Sequence, residues 1–157
     1  MTALTSTAHA DTNVRIDVID VQAGVIVQTI EKHNLVVKKG LITLLKHLGG
    51  LTPYPITQFG VGSGGTPVDD TDEILQEEVY RGSLSEVIID EALKAMIIKF
   101  YVPVTQANSA PLLEAGIFFG GDDRAIFARV THEGFIKTKD IAVIYTWTVA
   151  LSAIAPA

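Results

Sequence analysis

The sequence predicts a mainly β protein, a β-sandwich-like antiparallel domain with one or two short α-helices. Three observations support this. The last uncharged stretch alternates strictly, with Ile141, Val143, Tyr145, Trp147, Val149 and Leu151 on one parity and small or polar residues on the other. Several other short β-branched or aromatic runs are separated by Gly- and Asp-rich turns. The 157 residues are apolar for their size, 48% hydrophobic and 19% charged, and their mean hydropathy is +0.34.

From the N-terminus, Met1–Asn13 lacks a basic start and an apolar core, so it does not read as a secretory signal. It is expected to be a flexible or arm-like segment, with a single β-rich domain over 14–155. Val14–Val21 and Val25–Ile30 form a hairpin around Gln22-Ala23-Gly24, and the phase slip near Ile19 marks a bulge. Leu41, Leu44, Leu45 and Leu48 have the spacing of one helical stripe, stopped by Gly49-Gly50 with Lys46 and His47 in the last turn. Gly40 would let that helix approach a sheet closely.

Ile56–Val61 reads as a strand running into a glycine-rich loop. Asp70–Tyr80 reads as a short helix, because Asp70 and Glu73 have capping-box spacing. Leu84–Asp90 and Ala95–Val104 read as strands, with Pro103 at a sheet end or edge. Leu112–Phe119 and Ala125–Thr131 form a hairpin through Gly120-Gly121-Asp122-Asp123, and a loop over His132–Asp140 precedes the last strand. About eight strands result.

The chemistry is sparse. No cysteine is present, which excludes thiol nucleophiles, thiolate metal sites and disulfides. Twelve basic against eighteen acidic residues, a formal charge of −6, argue against wrapping nucleic acid. The terminal apolar run is slightly short for a membrane helix and alternates, so membrane insertion is not expected. Gly60-Val61-Gly62-Ser63-Gly64-Gly65 matches a dinucleotide fingerprint literally. Thr66-Pro67 and acids follow it, no lysine lies in the loop, and no helix opens on the last glycine, so no cofactor is expected.

Asp69, Asp70, Asp72 and Glu73 lack the spacing of a calcium loop and suit a solvated helix start. His9, His33, His47 and His132 have no partner at metal-ligand spacing, and none of the six serines sits in G-x-S-x-G. No metal, cofactor or catalytic residue is expected, and the chain reads as a non-enzyme. Phe118, Phe119, Tyr145 and Trp147 suit a core better than a sugar-stacking platform.

Read in order, several segments resemble a family of tailed-bacteriophage tail-fibre and baseplate-associated structural proteins. They are His33-Asn34-Leu35-Val36-Val37 with Gly40-Leu41, Phe59–Gly64 with Thr66-Pro67, and Asp70-Thr71-Asp72 with Leu75, Glu78, Val79 and Arg81. Asn108, Leu113–Phe118, Ile126–Val130, Lys137–Asp140 and Trp147-Thr148 complete the likeness, which spans roughly Asn34–Leu151. The resemblance implies a non-enzymatic virion component in the tail, assembled in the host cytoplasm as a homo-oligomer, a trimer in a fibre. It would act as a short tail fibre or a fibre/baseplate adaptor, with other tail or baseplate proteins as partners and a host cell-surface glycan as a further one. No fibrous shaft or separate tip is visible, which weakens direct receptor recognition. The competing readings are a capsid decoration (cement) protein and a small carbohydrate-binding module. On loop composition, Gly62, Ser63, Gly64, Gly65, Thr66, Gln106, Asn108 and Ser109 are candidate subunit or host contacts.

Overall fold

A computed structural model describes residues 7–121 and 125–154, and the side chains of 12–121 and 125–150. The mainly β expectation holds: two five-stranded antiparallel sheets face each other, with one helix among the described residues. The strands are β1 (Thr7–Asp20), β2 (Val25–His33), β3 (Leu35–Val36), β4 (Ile56–Gly62) and β5 (Glu78–Ser83). There follow β6 (Glu86–Asp90), β7 (Ala95–Val102), β8 (Pro111–Phe119), β9 (Ile126–Ile136) and β10 (Ile141–Ile154). The first sheet runs β2-β1-β10-β7-β6, the second β3-β9-β8-β4-β5.

Alternation places the core. Val143, Tyr145, Trp147 and Val149 point from β10 into the gap between the sheets and are buried. Phe59 of one sheet stacks on Phe100 of the other at 4.2 Å between ring centres, and Phe100 stacks on Tyr145 at 4.8 Å. The Phe59–Phe100 contact bridges the layers, while Phe100 and Tyr145 are cross-strand neighbours within the first sheet. All four aromatics weighed above as a sugar platform, Phe118, Phe119, Tyr145 and Trp147, are inside.

The β1–β2 register shifts between Val18 and Ile19, where the apolar phase slips in the sequence. β1 begins at Thr7, inside the thirteen residues read as a tail; residues 1–6 of that segment lie outside the described residues. From Thr7 to Thr12 it pairs only with Val149–Ile154 of β10, since β2 joins at Asn13 and β7 reaches no further than Ala150. The turn expected at Gly120–Asp123 lies partly outside the described residues.

Helix α1 (Lys38–Leu48) forms where the leucine spacing places it. Gly40 is its buried residue, lying so close to Phe127 that a Cβ would overlap the Phe127 carbonyl. That approach sets the contact face on Gly40 and Leu44, and leaves Leu41, Leu45 and Leu48 exposed.

Three expectations fail. Asp70–Tyr80 is not a helix: it runs as an irregular strap into β5, whose backbone pairs with β4. Ladder pairing of Glu78–Ser83 outweighs the weak local preference of an acid-rich segment for helix. The two-residue strand β3 was not anticipated. β9 continues to Ile136, so the expected His132–Asp140 loop shrinks to a turn before Ile141.

Candidate functional site

The outer face of the second sheet carries a feature that no linear motif announced. Glu114 of β8 and Arg129 of β9 are both fully buried, and Arg129 Nε donates to Glu114 Oε2 at 2.8 Å. Gly116 stands opposite Arg129 in the ladder. Arg129 Nη1 donates to Asp72 Oδ2 at 3.0 Å, and Nη2 to the Thr66 carbonyl at 3.0 Å. Glu114 also accepts the backbone N–H groups of Gly64, Gln76 and Glu77, at 3.2, 3.1 and 2.7 Å. Two buried charges thus satisfy each other and fasten both limbs of residues 63–77. Pairing and hydrogen bonding together are what make such burial tolerable.

Leu75 is the strap's apolar anchor. It sits over Gly60 and Gly116, neighbours across β4 and β8, each of which would bring a Cβ within 3.0 Å of its methyl groups. Leu75 clusters with Val37, Phe118 and Ile126, and the Arg81 guanidinium covers the Phe118 ring at 3.5 Å. Gly60, Gly62 and Gly64 of the G-x-G-x-x-G run therefore serve close packing, whereas exposed Gly65 has room for a side chain. Gly60 admits Leu75, while a side chain on Gly62 or Gly64 would strike the strap backbone, Gln76 or Glu114.

The predicted contact residues divide accordingly. Gly62 and Gly64 are buried beneath the strap and offer no side of their own to a partner; Ser63 is half-buried, with its N–H donated to the Glu77 carbonyl at 2.9 Å. Gly65 and Thr66 are exposed. Gln106, Asn108 and Ser109 are also exposed, on a loop that feeds Pro111 of β8. Both loops adjoin the first half of β8, one through Pro111 and the other through Glu114.

The second loop is pinned from within. Lys137 is fully buried and donates through Nζ to Asn108 Oδ1 and to the Thr138 carbonyl, each at 3.0 Å. Its ammonium rests among neutral oxygens, and burial holds its pKa below the ordinary lysine value. Ala107 and Ser109 have φ of 57° and 68°, in the left-handed region. The Ser109 N–H to Lys137 carbonyl bond, 2.7 Å, helps hold that shape.

Three acids of the strap, Asp69, Asp72 and Glu73, have partners within the protein. Asp69 accepts from the Thr71 hydroxyl and N–H, which holds its carboxyl below the usual range. Asp72 faces Arg129, and Glu73 lies 4.0 Å from Lys39. Among the described residues, no group of three His, Asp or Glu side chains is placed to hold a metal.

His132 and Tyr145 form one more buried polar pair. His132 Nδ1 lies 2.9 Å from the Glu133 carbonyl, which can only accept, so Nδ1 carries the proton. Nε2, 3.2 Å from the Tyr145 hydroxyl, is then the acceptor. Burial lowers the His132 pKa, against the opposing hydrogen bond to Glu133, and raises that of Tyr145. The Asn34 amide, turned with its oxygen toward the indole, accepts from Trp147 Nε1 at 3.1 Å.

Sequence reasoning missed Glu114, Arg129 and Lys137 as organising residues. A signal existed for the first two: each is the lone charge within an otherwise apolar run, Leu112–Phe119 and Ala125–Val130, on strands predicted to pair. Comparison with protein-family models, curated proteins and solved structures finds no match for this chain.

Proposed function

We propose that the chain is a non-enzymatic structural component of a tailed-phage virion, a short tail fibre or fibre/baseplate adaptor that assembles with copies of itself, as a trimer in a fibre. One observation carries the reading. Several of the scattered segments behind the resemblance meet in a single structural unit: Gly60–Gly64, Thr66, Asp72 and Leu75 with Glu114, Gly116 and Arg129. The chemistry of that unit is fastening. Every donor and acceptor named there is spent on holding a strap to a sheet, which suits a load-carrying assembly part better than a catalyst. Exposed Gly65 and Thr66, with Gln106, Asn108 and Ser109, are then firm surface features available to tail partners or a host glycan.

Antibody labelling of intact particles tests the placement. Label on the tail supports the reading, label on the head transfers the chain to the capsid-decoration class, and unlabelled particles remove it from the virion. A glycan array separates attachment from adaptor roles, because an adaptor gives no specific glycan signal.

A further inference from the structure

A polar groove runs along one face of helix α1. Lys39, Thr43 and Lys46 share that face, opposite the one that carries Leu41, Leu45 and Leu48. Two adjoining clefts of about 470 and 320 Å³ lie against it and have Thr43, Lys46 and Ala125 in common. The strap walls the larger cleft with Asp70, Thr71 and Glu73, and Glu73 stands 4.0 Å from Lys39. Thr52 and Tyr54, in the segment after the helix, line the smaller one. Residues 122–124, between Gly121 and Ala125, lie outside the described residues. Each cleft has the size of a small-ligand site.

The walls are tied to one another. The Lys38 N–H donates to the Asp70 carbonyl at 2.8 Å, and the Gly120 N–H to the Pro55 carbonyl at 2.8 Å. His47 Nδ1 lies 3.2 Å from the Thr52 carbonyl. A groove formed in advance spares a ligand the cost of ordering it. Tyr54 is 46% exposed, yet its ring rests against Gly121, where φ is 81° and a Cβ would overlap the ring. Glycine at that position therefore seats the aromatic ring at the end of the groove.

The lining sets ammonium donors, carboxylate acceptors and threonine hydroxyls around one aromatic side chain. A polyanion would meet Asp70 and Glu73, and a polycation would meet Lys38, Lys39 and Lys46. A sugar answers both kinds of group, since each hydroxyl donates and accepts, and its C–H face packs on an aromatic ring. Two clefts in line suit more than one sugar unit. We propose that this groove binds an oligosaccharide, one unit stacked on Tyr54 and another hydrogen-bonded between the lysines of α1 and the acids of the strap. The proposal rests on the host-glycan part of the proposed function and places it away from the two loops beside β8.

A printed array of bacterial surface oligosaccharides, followed by calorimetric titration of the strongest binder, tests it. Tyr54→Ala and Lys46→Ala are each expected to weaken binding about tenfold, with circular dichroism unchanged. Tyr54→Phe keeps the ring and should keep the affinity. The control Tyr101→Ala removes a similarly exposed tyrosine outside the groove and should change nothing. Binding that survives both groove variants overturns the groove and leaves glycan attachment standing. Loss with Lys46→Ala alone makes the lysine row a plain charge patch and overturns the stacked sugar. A native chain without array signal overturns the groove and the glycan part together, while particle labelling still decides the structural role. Should Tyr54→Ala fail to fold, amide shifts of the native chain with the same oligosaccharide decide. Shifts centred on Thr43, Lys46, Thr52 and Thr71 support the groove, and shifts centred elsewhere overturn it.

Discussion

Arg129 reaches across from β9 to Glu114 of β8 at 2.8 Å, both side chains without solvent access, and from there it ties down a fifteen-residue strap through Asp72 and Thr66. The pair joins strand chemistry to surface shape, because the strap's exposed residues stand where this buried contact puts them. Arg129→Ala should leave the Glu114 charge buried without its cation, at a cost of about 3–5 kcal/mol. Adding Glu114→Met to an Arg129→Met background should cost much less than the two single changes summed. Urea unfolding of the four proteins in that cycle measures the coupling.

Gly40→Ala sets helix propensity against packing. Alanine is favoured by about 1 kcal/mol within a helix, yet here its Cβ would enter the Phe127 backbone. Backbone cannot step aside as a side-chain tip can, so overpacking by ~1–3 kcal/mol should win. Thermal unfolding should show a lower midpoint; a rise would mean that the helix does not sit this close to β9.

Leu75→Ala removes the plug over Gly60 and Gly116. A loss of about 2–5 kcal/mol is expected, with faster amide exchange in residues 63–77 than in β10. A uniform increase throughout the chain would show instead that the strap has no independent hold.

His132 makes stability depend on pH. Its folded pKa lies below the ordinary imidazole value, chiefly through burial. The neutral form is therefore the one that folding favours, and protonation favours the unfolded chain. Stability from this residue is fully present above the unfolded imidazole pKa, ~6.5, and is lost as pH falls through the depressed folded value. Urea midpoints should hold steady from weakly alkaline to neutral pH and drop on acidification, with His132→Gln flattening the part of the drop that precedes carboxylate protonation. A midpoint that rises on acidification would contradict the Nδ1–H tautomer and its Tyr145 donor.

Elements governed by local pattern were readable in the sequence, and those governed by distant partners were not. The alternation of Ile141–Val149 placed β10 and its core face. The phase slip at Ile19 marked the bulge, and Gly40 the close helix approach. Residues 70–80 misled because Asp70 and Glu73 mimic a capping box, whereas Asp72 is bound by Arg129, 57 residues on, and Glu78–Ser83 by the β4 ladder. The leucine stripe identified the helix but not its contact face, which Gly40 shifts toward Leu44. For the site, composition marked the two loops beside β8. It suggested looseness, though, where Glu114, Arg129 and Lys137 supply restraint from strands and turns far along the chain.

Native-state amide exchange at Gly64, Gln76 and Glu77 probes the clamp most directly, since those three N–H groups end on the Glu114 carboxylate. Protection close to that of the β8 amides is the expected result. Exchange at the rate of an unstructured peptide would show that the strap is not fastened, and the account built on Glu114 and Arg129 would fall.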